Sequence, residues 1–354
     1  MTAVGLITFT RHYWQCTCSR EGAFASDAVL GIQGQNYSPT VQQHCCRLAV
    51  EASFDATSQL LQELLGVTLS AETVRSLVQG HGRAMVRFQA ADTSSAQAFR
   101  KATGEVEFTV DASKVNTREE GWKDLKIGVF AKREAGVPAT PAAWRSQRLP
   151  KPTQVVAFAG LVPAKQFRKS WRPRLRKLGV TCPAEVQVVA DGAGWIWKGV
   201  ERTLPGCVQT LDIFHACEHL SLCAQRIFGE GTPAAQSAYE QGRGLLVSAG
   251  WSGVCQWVGM LLEESDAAER ERRRAATERL LGYFAKHVGR LGYRERLAAG
   301  RAIGSGQVEG QAKTLGLRLK RRGARWRRSN VAPMASLVCT RHTSHWDAYW
   351  SQAA

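Results

Sequence analysis

Three carboxylates lie in segments that would hold them on a rigid support. Asp191 ends an apolar run and is followed by Gly-Ala-Gly-Trp, a turn that opens into a helix. Asp111 ends the run Val-Glu-Phe-Thr-Val-Asp, and Glu309 lies in Gly-Ser-Gly-Gln-Val-Glu-Gly. Carboxylate oxygens are the ligands that Mg²⁺ prefers, and two divalent cations can neutralise charge on the attacking and leaving oxygens of a phosphodiester. The sequence therefore predicts two Mg²⁺ or Mn²⁺ ions held by Asp111, Asp191 and Glu309.

Each acid also has a simpler structural explanation. Asp111 could be a turn residue at a strand end, Asp191 a helix cap, and Glu309 a first-turn glutamate favoured by the helix dipole. All three in such settings on one strongly basic chain favour the metal site over three separate structural roles.

The charge balance predicts a negatively charged partner. Lys and Arg number 47 against 30 Asp and Glu, which gives a net charge of +17 over 354 residues. Such an excess favours nucleic acid, with an anionic membrane surface as the second choice. No apolar run approaches the ~18 to 20 residues needed to cross a bilayer, and the start lacks the order of a signal peptide. We therefore expect a cytoplasmic, nucleoid-associated protein with no membrane part.

The elements that would position the two aspartates follow one another between residues 104 and 215. Strand patterns are expected at 105–111, 125–133, 153–162, 185–190 and 207–211, with a basic helix at 165–178 and a second helix at 195–202. Three strands, helix, strand, helix, strand is the order of a ribonuclease H-like core. We therefore predict an α/β fold with a mixed sheet, whose first two strands pair as a hairpin.

Glu309 is expected on a helix that folds back over this sheet. An apolar stripe at spacings of four, three and four defines the buried side of that helix: Val308, Ala312, Leu315 and Leu319. Glu309, Lys313 and Lys320 then fall on the adjoining face, and Ser305 is the expected N-cap. Basic residues accumulate after Glu309, and we predict DNA contacts from Lys313, Lys320, Arg321, Arg322, Arg325 and Trp326.

A helical region is expected between residues 39 and 103. Pro39 starts one helix, Ser53 caps a second that Gly66 stops, and Ser70 opens a third that ends at Gln79 before Gly80. The last two would form a helix-turn-helix-like unit that presents Thr73, Arg75, Ser76 and Gln79 to a DNA groove. A helical hairpin that only packs is the alternative.

The remaining boundaries follow from these elements. Residues 1–38 predict a small β region, and residues 104–215 the first part of the core. Residues 216–300 predict a helical insertion, which separates the two aspartates from Glu309. Residues 301–354 then hold the Glu309 helix and the basic C-terminal segment.

The ten cysteines do not form a disulfide framework pattern. Most lie in apolar segments and are expected as buried thiols, including Cys182, Cys207, Cys217, Cys223 and Cys255. Cys16 and Cys18, near His12, could be half of a zinc knuckle, which His44, Cys45 and Cys46 would complete only if the fold brings them together.

A second chemistry is possible at His215-x-x-Glu218-His219. This string matches an inverted zinc-peptidase pattern, in which two histidines one helical turn apart bind Zn²⁺ and the glutamate acts as base. A peptidase needs a third ligand and gains nothing from a charge of +17, so we keep it as an alternative only.

Four ordered motifs resemble those of bacterial insertion-sequence transposases of the Kra type, in the Mutator-like branch of acidic-triad (DDE) enzymes. They are Val-Asp-Ala-Ser-Lys at 110–114, Ala-Asp-Gly-Ala-Gly-Trp-Ile-Trp at 190–197, Leu-Asp-Ile-Phe-His-Ala-Cys-Glu-His-Leu at 211–220, and Gly-Ser-Gly-Gln-Val-Glu-Gly with the later Arg-Arg-Gly-Ala-Arg-Trp at 321–326. The resemblance covers about residues 9–345. It implies a ribonuclease H-like catalytic core with a helical insertion, and Asp111, Asp191 and Glu309 as metal ligands.

The resemblance also implies further roles and partners. Asp212 and His215 match an auxiliary motif close to the active site, and Trp195, Trp197 and Trp326 could stack on unpaired bases. The implied partners are terminal inverted repeats and target DNA, bound by a homo-dimer or a larger assembly. Similar proteins have further sequence before Tyr-Trp-Gln-Cys, which indicates an N-terminally shortened copy or a misplaced start codon.

The sequence thus predicts a DNA transposase that cuts at insertion-sequence ends and joins the freed 3′-hydroxyl to target DNA. A catalytically inactive DNA-binding remnant of such an enzyme is the first alternative, and the zinc metallopeptidase is the second.

Overall fold

The computed structural model describes residues 1–2, 7–8, 10–19, 21–29, 37–263 and 267–353. The N-terminal elements are strands β1 (Tyr13–Gln15) and β2 (Gly22–Phe24), which pair antiparallel, and a short helix α1 (Ala25–Val29). The small β region predicted for residues 1–38 is therefore confirmed as a two-stranded sheet. Part of that region, including residues 30–36, lies outside the described residues.

The N-terminal cysteines do not form the zinc knuckle considered above. Cys16 and Cys18 form a disulfide with each other. Cys45 and Cys46 lie fully buried in a helical core, where burial raises the pKa of the Cys45 thiol to about 12. Of the other cysteines expected inside, Cys182 and Cys255 are exposed, whereas Cys207, Cys217 and Cys223 are buried as predicted.

Four helices precede the central sheet. They are α2 (Pro39–Ala49), α3 (Phe54–Leu65), α4 (Ala71–Ala91) and α5 (Ser94–Lys101). Ser53 and Ser70 cap α3 and α4 with their side chains, and Gly66 ends α3 in the left-handed conformation at φ 62°. These three signals were read correctly from the sequence.

The end of α4 was predicted wrongly, because this helix continues through Gly80 to Ala91. Gly82 lies where α4 crosses a C-terminal helix, and a Cβ at that position would stand 2.8 Å from the Pro333 carbonyl oxygen. The glycine therefore permits a close helix crossing and does not break the helix.

A five-stranded sheet forms the centre of the molecule. Its strands are β3 (Glu105–Thr117), β4 (Gly121–Arg133), β5 (Gln154–Gly160), β6 (Val186–Ala190) and β7 (Val208–Leu211), in the order β5-β4-β3-β6-β7. β3 pairs antiparallel with β4, and β4 pairs antiparallel with β5. β6 pairs parallel with β3, and β7 pairs parallel with β6. This is the ribonuclease H-like mixed sheet that the element order predicted.

Three features of this region differ from the prediction, one of which is the start of β4 at Gly121 where residue 125 was expected. β3 continues for six residues past Asp111, so that this acid lies within a strand and not at its end. The basic helix expected at 165–178 is divided into α6 (Ala164–Lys169) and α7 (Trp171–Lys177). Helix α8 (Gly194–Thr203) links β6 to β7 close to its predicted place.

The two faces of the sheet bury different cores. Phe108, Val110 and Phe130 pack with Trp171 of α7 and Ile196 of α8 on one face. The alternate side chains of the same strands, such as those of Ile127 and Val129, join a second core with the N-terminal and C-terminal helices. A strand buried on both faces is expected at the centre of an α/β sheet.

The predicted insertion is helical. It comprises α9 (Ile213–Phe228), α10 (Pro233–Glu263), α11 (Ala267–Phe284), a 3-10 turn at Ala285–Arg290 and α12 (Tyr293–Ala298). Trp257 and Leu246 of α10 and Phe284 of α11 are buried in its own apolar core. Helix α10 is kinked at Gly250 (φ 56°).

Helix α10 is long and apolar enough to cross a bilayer, contrary to the expectation that no segment approaches that length. Among the described residues it is the one helix that meets this criterion, and 44% of its most apolar window is buried within the protein. Core helices of soluble proteins meet the same criterion, so this is weak evidence for a membrane span.

The C-terminal segment consists of α13 (Gly306–Leu319), α14 (Arg328–Thr340) and α15 (Ser344–Ala353). The apolar stripe predicted on α13 is confirmed, because Val308, Leu315 and Leu319 are buried and Ala312 packs against the same core. Helix α13 lies against β3 and β4, and α14 packs on α4 and β5. The helix carrying Glu309 therefore folds back over the sheet.

Candidate active site and nucleic-acid interface

Three aspartates share one register on neighbouring parallel strands, one within β3 and the others directly after β6 and β7. Val110 of β3 pairs with Ala190 of β6, and Ala190 pairs with Leu211 of β7. The next residues along the three chains are Asp111, Asp191 and Asp212. Neighbouring strands lie ~4.8 Å apart, so the register places the three acids in one row at the carboxyl edge of β6 and β7.

Asp111 and Asp191 are partly buried at this edge. Burial raises the pKa of the Asp111 carboxyl, and the negative charges of Asp191 and Glu309 raise it further. Burial also raises the pKa of Asp191, with a smaller contribution from the charge of Asp212. Each carboxylate has one oxygen in a local hydrogen bond, accepting from Ala112 N at 2.6 Å and from Ala193 N at 2.8 Å respectively.

Asp212 has a different environment, because its side chain is fully buried. It caps α9 by accepting hydrogen bonds from Phe214 N at 2.7 Å and His215 N at 3.0 Å. Its second oxygen accepts a hydrogen bond from Ser305 N, just before α13. Asp212 therefore joins the start of α9 to the start of the helix that carries Glu309.

Glu309 reaches this edge through the same connection. Ser305 Oγ donates a hydrogen bond to Glu309 Oε1 at 2.7 Å, and the Glu309 charge raises the pKa of Asp111. Ser305 precedes α13 as predicted, but its side chain does not cap the helix because it bonds to Glu309. Asp111 therefore lies within electrostatic range of both Asp191 and Glu309, the other two acids that the sequence singled out.

His215 belongs to the same cluster, and its charge lowers the pKa of both Asp111 and Asp191. Its Nδ1 lies 3.3 Å from Glu218 Oε2 on the next turn of α9. His219 stacks on the ring of Tyr283 with centroids 3.5 Å apart, and burial lowers its pKa. The two histidines therefore have separate contacts: one faces the aspartates and the other packs against an aromatic ring.

Tyr283 is a residue of this site that sequence reasoning missed. It comes from α11, and burial and the charges of Asp191 and Asp212 raise its pKa. A Cβ at position 192 would stand 2.5 Å from the Tyr283 hydroxyl, so the glycine after Asp191 leaves room for this ring. No local pattern marks Tyr283, since it lies more than ninety residues from Asp191 in the chain.

The donor set suits a hard cation in its chemistry. Its ligand atoms are carboxylate oxygens, and burial raises the pKa values of Asp111 and Asp191 because it removes water from around their charged forms. Within the described ranges, no three His, Cys, Asp or Glu side chains stand close enough to hold a metal ion as they are. Glu309 would have to turn from Ser305 towards Asp111 to complete such a site.

Most of the predicted DNA contacts meet in one cleft of about 680 Å³. Its lining includes Arg75 of α4 and, from the segment after α13, Arg321, Arg322, Arg325 and Trp326. Lys313 and Lys320 are exposed on the Glu309 helix but are not part of this lining. The cleft therefore joins residues of the helix-turn-helix-like unit to the basic C-terminal segment.

The tryptophans suggested for base stacking differ in exposure. Trp197 is 3% exposed, and its Nε1 donates to the Asp191 carbonyl oxygen at 2.8 Å. Trp326 is 7% exposed and donates to the Leu319 carbonyl oxygen. Both rings therefore lack an open face, whereas Trp195 is partly exposed.

Comparison with known proteins adds one match. A family described as "Uncharacterised protein family (UPF0236)" matches residues 1–116, which include Asp111 but neither Asp191 nor Glu309. No curated protein matches the chain. The fold defines the class of the molecule, an α/β protein with a ribonuclease H-like sheet. Asp111, Asp191, Asp212 and Glu309 form an acidic edge on this sheet.

Proposed function

We propose that this protein is a DNA transposase that cleaves DNA at insertion-sequence ends and transfers the freed 3′-hydroxyl to a target strand. The observation that supports it best is the acidic edge, where the strand register aligns Asp111 with Asp191 and α13 brings Glu309 to them. The net charge of +17 and the four motifs quoted above agree with this proposal.

Asp111, Asp191 and Glu309 would hold the divalent ions in this proposal. Bound Mg²⁺ would supply charge neutralisation at the phosphate and a more acidic water. Mg²⁺ keeps several waters and binds through few carboxylates together with substrate phosphates, so a protein site of two partly buried aspartates and one glutamate is sufficient. The half-buried setting strengthens the attraction of the aspartates for a cation, because it removes competing solvent.

Asp212 has a positioning role in this proposal and is not a metal ligand. Both of its oxygens accept backbone hydrogen bonds, so it has little capacity left for a cation. It accepts a hydrogen bond from Ser305 N, and Ser305 Oγ in turn donates to the Glu309 carboxylate. His215 lies close enough to both aspartates to influence their charge and to contact substrate at the same edge.

The test compares Asp191→Asn with the intact protein on plasmid DNA that carries the sequence flanking the gene. We expect nicking that depends on Mg²⁺ or Mn²⁺ in the intact protein and falls by about a thousandfold in the variant, since several kcal/mol of charge stabilisation are lost. Asp347→Asn, an exposed aspartate of α15, is the matched control and should cleave normally.

Equal cleavage by Asp191→Asn would contradict the assignment of the acidic edge. DNA binding by the intact protein without metal-dependent cleavage would favour the non-catalytic DNA-binding alternative.

A further inference from the structure

The arginine cleft contains more positive charge than its surroundings neutralise. Seven arginines line it: Arg75 from α4, Arg118 from the turn between β3 and β4, and five between residues 318 and 327. Asp55 is the one acid among the described residues of the lining. Arg75 is paired with Glu72, so most of the remaining charge comes from the C-terminal segment.

Arg318 is the buried member of this group, at 4% exposure. Its guanidinium lies 4.8 Å from the ring centroids of both Phe54 and Trp326, and its Nε donates to the Ala49 carbonyl oxygen. Its Nη2 is buried and, within the described part of the chain, has no hydrogen-bond partner. Burial and the like charge of Arg321 lower the pKa of Arg318 to about 10.

An unpaired charged donor inside a protein costs more than a neutral one, for which ~1 to 3 kcal/mol is typical. An anion that accepts from Nη2 would recover part of this cost. Since Nη2 is covered by protein atoms, the surrounding side chains must move slightly for an anion to reach it. Arg318 nevertheless contributes to the lining of the cleft, beside the exposed Arg321, Arg322 and Arg325.

The cleft is also tied to the strand that carries Asp111. Trp326 N donates to the Asn116 carbonyl oxygen at 3.0 Å, and Arg118 N donates to the Trp326 carbonyl oxygen at 2.8 Å. Six residues of extended chain separate Asp111 from Thr117, where β3 ends. At ~3.3 Å per residue this is about 20 Å, which is the rise of about six base pairs of DNA.

We propose that the arginine cleft is a second DNA site, which binds a backbone phosphodiester of the strand about six nucleotides from the acidic edge, with Arg318 as its buried anchor. This inference rests on the proposed function for the identity of the polyanion. The planar fork of arginine matches a phosphate group in two hydrogen bonds, which a lysine-lined site would not provide. The helix-turn-helix-like unit and the C-terminal segment would then hold one strand jointly.

The experiment measures binding of a short fluorescent DNA duplex to the full chain over about 50 to 200 mM salt. The double variant Arg322→Ala/Arg325→Ala removes two exposed charged side chains from the cleft and should lower the slope of log K against log salt by about 2. The control Arg172→Ala/Arg202→Ala removes equal charge from α7 and α8, on the other face of the sheet, and should leave the slope within error.

A second variant tests the anchor itself. Arg318→Lys keeps the charge but loses the planar fork of the guanidinium, and we expect roughly tenfold weaker DNA binding with an unchanged circular dichroism spectrum.

Nicking by the double variant Arg322→Ala/Arg325→Ala should fall with its DNA affinity and recover at saturating protein. Chemical protection of the DNA should be lost at a phosphate about six nucleotides from the cut.

Unchanged affinity and slope in the double variant would overturn the cleft proposal, even if the intact protein cleaves DNA. If the double variant shows the lower salt slope but the intact protein never cleaves DNA, the cleft proposal stands and the transposase proposal is refuted. Absence of any DNA binding by the intact chain would overturn the cleft proposal. A further contrary result would be that inorganic phosphate stabilises the intact protein against heat while the double variant keeps the DNA affinity of the intact protein. That result would assign the cleft to a free anion and would also overturn the cleft proposal.

Discussion

The acidic edge and the arginine cleft concentrate opposite charges in two different ways. At the edge, the parallel register of β3, β6 and β7 places acids next to one another, and burial raises the pKa values of Asp111 and Asp191. In the cleft, arginines arrive from α4, from a strand turn and from the segment after α13. Both regions hold charge that the described residues do not fully compensate, so each is suited to a ligand of opposite sign. A phosphodiester with its cations would satisfy both.

The largest expected effect separates the chemistry of the edge from binding in the cleft. Glu309→Gln should lower metal-dependent nicking by about a thousandfold, because it removes a charged ligand and leaves the shape of α13 unchanged. DNA affinity should stay the same or rise, since a negative charge is lost near the substrate path. Nicking of supercoiled DNA and fluorescence anisotropy would be measured on the same preparation.

Glu185→Gln is the control for this variant, since Glu185 is exposed at the opposite end of β6. Loss of DNA affinity in Glu309→Gln that parallels the loss of nicking would contradict the separation of the two regions.

The next largest effect is a difference in stability between variants of two aspartates that share one strand register. Asp212→Ala removes the cap of α9 and the acceptor for Ser305 N, and we expect the free energy of unfolding to fall by about 2 kcal/mol or more. Asp191→Ala removes one local hydrogen bond from a partly buried carboxylate whose charge is unfavourable, so its effect should be much smaller. Urea unfolding at neutral pH measures both. Equal destabilisation would mean that Asp191 is a structural residue too.

The smallest effect concerns the burial of the Asp111 carboxylate beside other acids. The raised pKa of Asp111 means that the folded state binds its proton more tightly than the unfolded chain, so this residue lowers stability as pH rises above the ordinary Asp value of ~3.9. Asp111→Asn should therefore be more stable than the parent at neutral pH, by less than about 1 kcal/mol. The difference should vanish at about pH 3, where both states are protonated.

Thermal melts at the two pH values measure this difference, and added Mg²⁺ should stabilise the parent more than the variant. A variant that is less stable than the parent at neutral pH would show that the Asp111 charge is compensated.

Local patterns in the sequence predicted most of the elements. Strand content and turn signals placed β3 to β7 in an order that defines the fold class, and the spacing of Val308, Leu315 and Leu319 identified the buried side of α13. The errors arose where distant contacts override local signals. Gly80 resembles a helix end, but α14 packs closely on α4 at Gly82 and the helix continues.

The candidate site was predictable only in part. Asp111 and Asp191 stood out because each ends an apolar run, and Glu309 because it lies in the first turn of a patterned helix. Tyr283 and Arg318 carry no such mark, since an aromatic residue in a helix and an arginine in a basic run are ordinary. Their environments come from packing against residues far away in the chain: Gly192 in one case, Phe54 and Trp326 in the other.

By itself the sequence determined the identity of the elements, the charge of the chain and the acids at the ends of apolar runs, because these depend on residues close together in the chain. The tertiary structure decided which of these acids are buried and hydrogen-bonded and which remain free to bind a ligand. Asp191 and Asp212 both follow a parallel strand, yet only Asp212 is fully buried and bonded to three backbone N–H groups. That difference depends on the return of the chain at Ser305, which a local pattern cannot specify.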